Sequence, residues 1–249
     1  MKYLFLMYGD ENAWNDQERK DCMVESLAVC DELNAKGKFI ATSPLQSVKA
    51  AATVRLRDGK PLITDGPFVE TREQLGGYFV FDLADLDEAI AVAGRLPPVR
   101  KGAAEIRPMF GLDGLPPSKP VPVGFTGKGP QPYMIVSLDD EAMWEKAGPD
   151  AHRAAMAEAV ALCHRLNDAG KYVSCSPLHP AATATCVRVR NGKREITDGP
   201  FTETHEVVGG FYVVLADSPE EAFEVGAQHC RINRSAVEVR PLHDLAGLK

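Results

Sequence analysis

No run of lysine or arginine in this chain is long enough to make a basic stripe. The formal charge is −7 and the pI is near 5.4, so the electrostatic footprint of a nucleic-acid binder is missing and no nucleic-acid partner is expected. No apolar run approaches membrane-spanning length either. The longest near the start, Tyr3 to Tyr8, is too short for a secretory leader and is followed at once by acidic residues. A soluble, cytoplasmic protein without membrane contact is expected. The six cysteines, Cys22, Cys30, Cys163, Cys175, Cys186 and Cys230, never fall at C-x-x-C spacing. That argues against a zinc site and a disulfide framework, and reduced thiols serving as small apolar residues are expected. Phosphate loops, dinucleotide fingerprints, nucleophile elbows and metal-ligand constellations are all missing, so no cofactor and no metal are expected. Histidine is lacking from the first half altogether, since the first of the six is His152.

What the chain does contain is itself, twice. An offset of 133 lays Ser43-Pro44-Leu45 on Ser176-Pro177-Leu178 and Thr64 to Phe68 on Thr197 to Phe201. The register then runs without gaps to Glu105, Arg107 and Pro108 on Glu238, Arg240 and Pro241, with about 30 of 73 positions identical. That level marks a duplication. Tyr3 matches Tyr133 at an offset of 130, so the second repeat holds three extra residues before its first helix. Between the repeats, Gly111 to Gln131 carries five prolines and five glycines in 21 residues, which suits a semi-rigid connector. The expected organisation is a first domain over 1–110, a linker over 111–131 and a second domain over 132–249.

Each repeat opens with a short apolar run, Tyr3 to Tyr8 or Tyr133 to Leu138, which predicts a buried strand. Met23, Leu27, Cys30 and Leu33, matched by Met156, Val160, Cys163 and Leu166, form an apolar stripe that predicts a helix packed on a sheet, closed by Gly37 or Gly170 at the C-cap. Val54 to Arg57, Asp58-Gly59 and Lys60 to Ile63 predict a β-hairpin, as do Val187 to Arg190 and the residues after Asn191-Gly192. Strands at Tyr78 to Phe81 and Phe211 to Leu215 follow. Capping boxes at Asp85/Glu88 and Ser218/Glu221 announce a second helix, and Glu105 to Met109 or Val237 to Arg240 supply a last strand. This is an α+β class with two ferredoxin-like βαββαβ units, each carrying a hairpin arm. Because helices cover only one sheet face, the two sheets are expected to pack as an intrachain pseudo-dimer of the dimeric α/β-barrel type. The expected state is therefore a monomer with an internal pseudo-dimer, or a homodimer.

The best-retained stretch is Ile63 to Phe68 with Glu70-Thr71, repeated as Ile196 to Phe201 with Glu203-Thr204. Two readings stay open. Asp, Gly and Pro together make a turn; alternatively, Asp65 and Asp198 present carboxylates to a pocket for proton transfer or ligand orientation. If a histidine partners Asp198, then His152, His179 and His205 are the candidates, with His152 and His205 foremost, and only the second repeat can be active. Arg55 and Arg188, each followed two residues on by another arginine, are suited to an anionic ligand or to a solvated hairpin face. Ser43, Ser176, Thr64, Thr197, Glu70 and Glu203 complete the set of ligand-binding candidates.

Taken in order, Ser-Pro-Leu, Val-Arg-x-Arg-(Asp/Asn)-Gly, Thr-Asp-Gly-Pro-Phe-x-Glu-Thr, Gly-Gly-(Tyr/Phe) and Glu-x-Arg-Pro resemble the YCII-related family in its DGPF-motif branch, across nearly all of both repeats. The resemblance implies a dimeric α/β-barrel fold with a cleft near the motif's Asp. In some YCII-like members a His and Asp pair has been proposed as catalytic, and DGPF members are associated with extracytoplasmic-function sigma factors. Where such members usually carry Lys after Glu-Thr, this chain has Arg72 and His205. Two functions follow as expectations: a small molecule bound in the barrel cleft, with acid-base chemistry by an Asp and a His or Arg, or a non-catalytic module that offers its surface to a protein partner.

Overall fold

In the computed structural model, which describes residues 1–248 apart from Glu70, Lys128, Glu203 and Thr204, the two repeats fold alike. The first comprises β1 (Lys2–Gly9), α1 (Asp16–Ala35), β2 (Phe39–Pro44), the hairpin β3 (Ala52–Arg57) and β4 (Lys60–Asp65), β5 (Gln74–Asp82), α2 (Leu86–Ala93) and β6 (Gly102–Pro108). The second comprises β7 (Gln131–Asp139), α3 (Glu141–Asp168), β8 (Tyr172–Pro177), the hairpin β9 (Thr185–Arg190) and β10 (Lys193–Asp198), β11 (Val207–Ala216), α4 (Pro219–Asn233) and β12 (Ala236–Pro241). The α+β, dimeric α/β-barrel architecture expected from the sequence is the one observed.

The hairpins change sides. One six-stranded antiparallel sheet runs β10-β9-β6-β1-β5-β2 and the other β4-β3-β12-β7-β11-β8. Each repeat thus completes its partner's sheet, β9 pairing with β6 and β3 with β12. The hairpin turns are built for this reach: Asp58-Gly59 and Asn191-Gly192 both take positive φ at each central residue, the type I′ geometry whose twist matches that of the flanking strands.

The continuous apolar character of β1 reflects burial on both faces. Tyr3, Phe5 and Met7 pack under α1 and α2 with Cys30, Leu33 and Leu96, while Leu4 and Leu6 face the other sheet and meet Met134, Val136, Phe211 and Val213. That inter-sheet layer is the shared core of the molecule. The Gly-Gly and Ser-Pro motifs explain one another here. Gly77 lies opposite Pro44 and Gly210 opposite Pro177, so close that a Cβ on either would sit 3.1 or 2.9 Å from the serine carbonyl oxygen before the proline.

Three details differ from the sequence expectations. First, β2 and β8, the strands between helix and hairpin, carry too few periodic apolar residues to be recognised. Second, the buried face of α1 is Ser26, Val29, Cys30 and Leu33, rotated from the expected stripe; Met23 and Leu27 instead line a cavity. Third, the Asp10-capped 3-10 turn that precedes α1 in the first repeat is matched in the second by an Asp140-capped helical turn that runs on into α3, and α3 kinks where Gly148, at φ 83°, precedes Pro149. The connector is anchored along its length: Phe125 is buried in the inter-sheet core, and Asp244 accepts the N–H groups of Gly124 and Thr126 at 2.8 and 3.0 Å.

Candidate functional site

The Thr-Asp-Gly-Pro-Phe segments latch one repeat to the other. Each follows its hairpin across the molecule, turns at Gly66 or Gly199 with φ of 97° or 96°, and delivers a backbone donor to a buried carboxylate of the opposite repeat. Phe68 N–H donates to Glu238 Oε2 at 3.0 Å, and Phe201 N–H to Glu105 Oε2 at 2.8 Å. Those glutamates are paired in turn with buried arginines. Arg240 donates to Glu238 at 3.0 Å and to the carbonyls of Leu75 and Gln46 at 2.9 and 2.6 Å; Arg107 does the same with Glu105, Val208 and His179. A charge taken out of water needs such company to be tolerated. Above them, Arg55 lies 4.7 Å over the Phe68 ring and pairs with Glu206, while Arg188 lies 5.2 Å over Phe201 and pairs with Glu73. The charged residues around the pseudo-two-fold axis are thus largely committed to one another.

A cavity of about 460 Å³ opens in the first repeat between α1 and the sheet. Its inner wall is apolar, with Met7, Trp14, Met23, Leu27 and Phe79, and Ser43 lies at its border. The second repeat helps to build it. His243 and Leu245 reach it from the tail, and Arg240 fixes the carbonyls of Gln46 and Leu75, which flank it. Cys22 stands in the same wall with its thiol pushed up to about 11 by burial. Asp10, at the rim, is held below the usual carboxylate range by the Arg72 side chain and the Asn12 N–H.

In the second repeat the matching positions are polar. Where the first has Met7, Gly9, Phe79, Leu96 and Arg100, the second has Ser137, Asp139, Tyr212, His229 and Asn233, and these form one hydrogen-bonded network. Ser137 Oγ lies 2.8 Å from both Asp139 Oδ1 and His229 Nε2, Tyr212 OH is 2.8 Å from His229 Nδ1, and Asn233 Nδ2 donates to Ser137 and Asp139. Asp139 lies across the bulge glycine Gly209, within 1.9 Å of where a Cβ would be. Gly9 leaves the matching bulge, at Gly76, open. Burial holds His229 down to about 4, against the opposing pull of the Asp139 carboxylate.

The model of the YCII-related domain matches residues 1–113 and again 132–246. The chain belongs to the YCII-related family. An uncharacterised protein of Rhizobium meliloti (strain 1021) is 38% identical over 114 residues, covering 44% of this chain and 92% of the relative; the relative therefore corresponds to a single repeat. Among solved structures, a candidate chlorite dismutase superposes with a TM-score of 0.47 at 10% identity, over 99% of this chain and 96% of that one. A heme-binding protein from Thermus thermophilus does so with 0.42 at 11%, over 98% and 91%.

Against this YCII-related frame the candidates separate. Ser43 borders the cavity, its hydroxyl bonded to the Pro44 carbonyl, and Ser176 is buried with its hydroxyl on Pro177 O. Asp65 and Asp198 are exposed at the ends of β4 and β10, as are Thr64 and Thr197, and none of the four borders the cavity. His205 is exposed and 3.6 Å from Asp140; His152 packs edge-on against Trp144. Neither pairs with Asp198 among the described residues. Arg55 and Arg188 serve the carboxylate and aromatic pairs just described. Glu70 and Glu203 lie outside the described residues. Sequence reasoning missed the roles of Glu105, Arg107, Glu238 and Arg240, though a charged pair inside an apolar strand is a readable sign of a buried ion pair. It also missed Gly9, whose signal is the mismatch with Asp139 at an otherwise duplicated position. No described helix is long and apolar enough to cross a membrane.

Proposed function

We propose that this YCII-related chain binds a small molecule in the cavity of its first repeat, with the second repeat serving as scaffold. The cavity itself carries the proposal. Its volume lies within the range of small-molecule sites, and its lining has the usual character of such sites, mainly apolar with a few polar groups. The duplication supplies an internal comparison, since the second repeat sets a satisfied polar network at the positions matching Met7, Gly9 and Phe79 of the cavity wall. Gly9→Asp, which copies the second repeat's residue, is the direct test. A Cβ at Gly9 meets only the Gly102 Cα, at 3.9 Å, so the backbone accepts the substitution. In a thermal-shift screen of metabolites, compounds that raise the melting temperature of the wild type by mass action are expected to leave Gly9→Asp unshifted. Stabilisation retained in full by the variant would place the ligand elsewhere.

A further inference from the structure

We infer that the cavity takes an amphipathic anion: an apolar, ring-bearing body ending in a carboxylate, sulfonate or similar group. This inference rests on the binding reading above and concerns what is bound. The body is fixed by the wall, where Met7, Met23, Leu27 and Phe79 together with Trp14 offer an apolar and aromatic surface. The sign of the head group follows from which charges at the rim are already spent.

Four charged side chains border the cavity: Asp10, Glu11, Arg19 and Lys49. Both acids are consumed by the protein. Asp10 takes the Asn12 N–H on Oδ1 and Arg72 Nε on Oδ2, each at 2.8 Å. Glu11 takes the Val48 N–H on Oε1 at 2.7 Å and the Ser47 hydroxyl on Oε2 at 2.9 Å. Neither cation is consumed in this way. Arg19 gives one donor to the Glu11 carbonyl at 2.7 Å, which tethers the guanidinium at the rim and leaves the rest of its five N–H donors uncommitted. Among the described residues no carboxylate lies within ion-pair reach of Arg19, and no hydrogen bond engages Lys49 Nζ. The uncommitted charged donors at the rim are therefore cationic, in a chain whose overall charge is −7, and a charged acceptor would find charge-assisted donors waiting.

The second repeat again acts as the control. The positions matching Arg19 and Lys49 hold His152 and Ala182. The repeat that carries Asp139 in place of Gly9 thus also lacks both permanent cations. The glycine and the positive charges go together, as they would if one ligand required both.

The test compares two probes with the same aromatic body. 8-Anilinonaphthalene-1-sulfonate carries an anionic group and N-phenyl-1-naphthylamine does not. Titrated by fluorescence against folded protein, checked by circular dichroism, the sulfonate is expected to bind about tenfold or more tightly than the neutral probe. The double variant Arg19→Gln/Lys49→Gln should bring the sulfonate down to the affinity of the neutral probe and leave the latter unmoved, while Gly9→Asp and, as a second occluding change, Leu27→Trp should abolish both. Equal affinities for the two probes, unaffected by the charge variants but lost on occlusion, would overturn the anionic assignment and leave the cavity standing. Sulfonate binding that survives both occluding variants would overturn the cavity reading and this inference with it.

Discussion

His229 is buried, and both of its ring nitrogens are engaged, Nδ1 with Tyr212 OH and Nε2 with Ser137 Oγ. Tyr212 has its own proton to give and Ser137 can give its proton to Asp139, so the chain of donors runs in one direction through a neutral imidazole. A second ring proton would confront the Tyr212 hydroxyl with a donor, and burial opposes the added charge. The Asp139 carboxylate attracts that charge but is outweighed, and the histidine is held down to about 4. The sign for stability follows. Above the ordinary histidine value of about 6.5 neither state binds the proton; as pH falls below it, the unfolded chain takes a proton that the folded one refuses, so the folded state loses ground until about pH 4. The full loss is about 3 kcal/mol, of which about 2 falls between pH 7 and pH 5. Carboxylates held low by their partners, such as Glu18, Glu88 and Glu221, contribute stability that is present above the usual carboxylate range and lost below it. The upper window therefore belongs to His229. Urea unfolding at pH 7 and pH 5 should show this loss in the wild type and a much smaller one in His229→Gln; the same slope in both proteins would mean that His229 is not the group excluded from protonation.

The turn between β4 and β5 unites the two readings of the Thr-Asp-Gly-Pro-Phe segment, because its retained residues can be assigned to different tasks. Gly66 stands at φ 97°, a region that side-chain-bearing residues enter only with strain, and its N–H bonds to Ala51 O at 2.9 Å. Pro67 follows, and Phe68 then offers its N–H to Glu238 and its ring to Arg55. Asp65 is exposed, with no hydrogen bond of its side chain among the described residues. Gly66→Val should accordingly cost about 1–3 kcal/mol in denaturant unfolding, and Asp65→Asn less than about 0.5, with ligand-induced stabilisation intact in the latter. If Asp65→Asn instead removes ligand stabilisation from a folded protein, the carboxylate has the ligand-directed role that the motif first suggested. The turn itself, the hairpins, the helix caps at Gly37 and Gly170 and the doubled architecture were all legible in the sequence, because each rests on local backbone rules that named residues carry. The exchange of hairpins was not. Val54 packs on α4 of the other repeat, yet nothing in its own segment says which β-edge it will meet, since either last strand presents the same residues. The cavity was illegible for a related reason: Met23 and Leu27 read as core, and nothing in their own segment shows that Gly9, with no side chain, borders the same space.

At the scale of the whole molecule the two repeats are a dimer whose subunits happen to be joined. Every level of the contact between them is reciprocal. Hairpins cross to the opposite sheets, each Phe of the motif reaches the opposite glutamate, and Arg107 and Arg240 hold carbonyls of the opposite repeat. Between the sheets lies an apolar layer to which both repeats contribute, including Leu4, Leu6, Tyr78, Met134 and Phe211. Burial at roughly 25 cal/mol per Å² makes such a layer the dominant stabilising term, and it does not depend on chain connectivity. What the connector supplies is effective concentration, together with the local docking of Phe125. A protease site inserted between Pro117 and Ser118, in an exposed stretch, allows the two contributions to be separated. After cleavage the fragments should co-elute at the intact mass in native gel filtration and part only in denaturant, and the nicked protein should retain the first-repeat cavity, whose rim includes His243 and Leu245 from the other fragment. Fragments that separate on dilution in native buffer would show that the joint, and not the exchanged hairpins with their shared core, holds the molecule together.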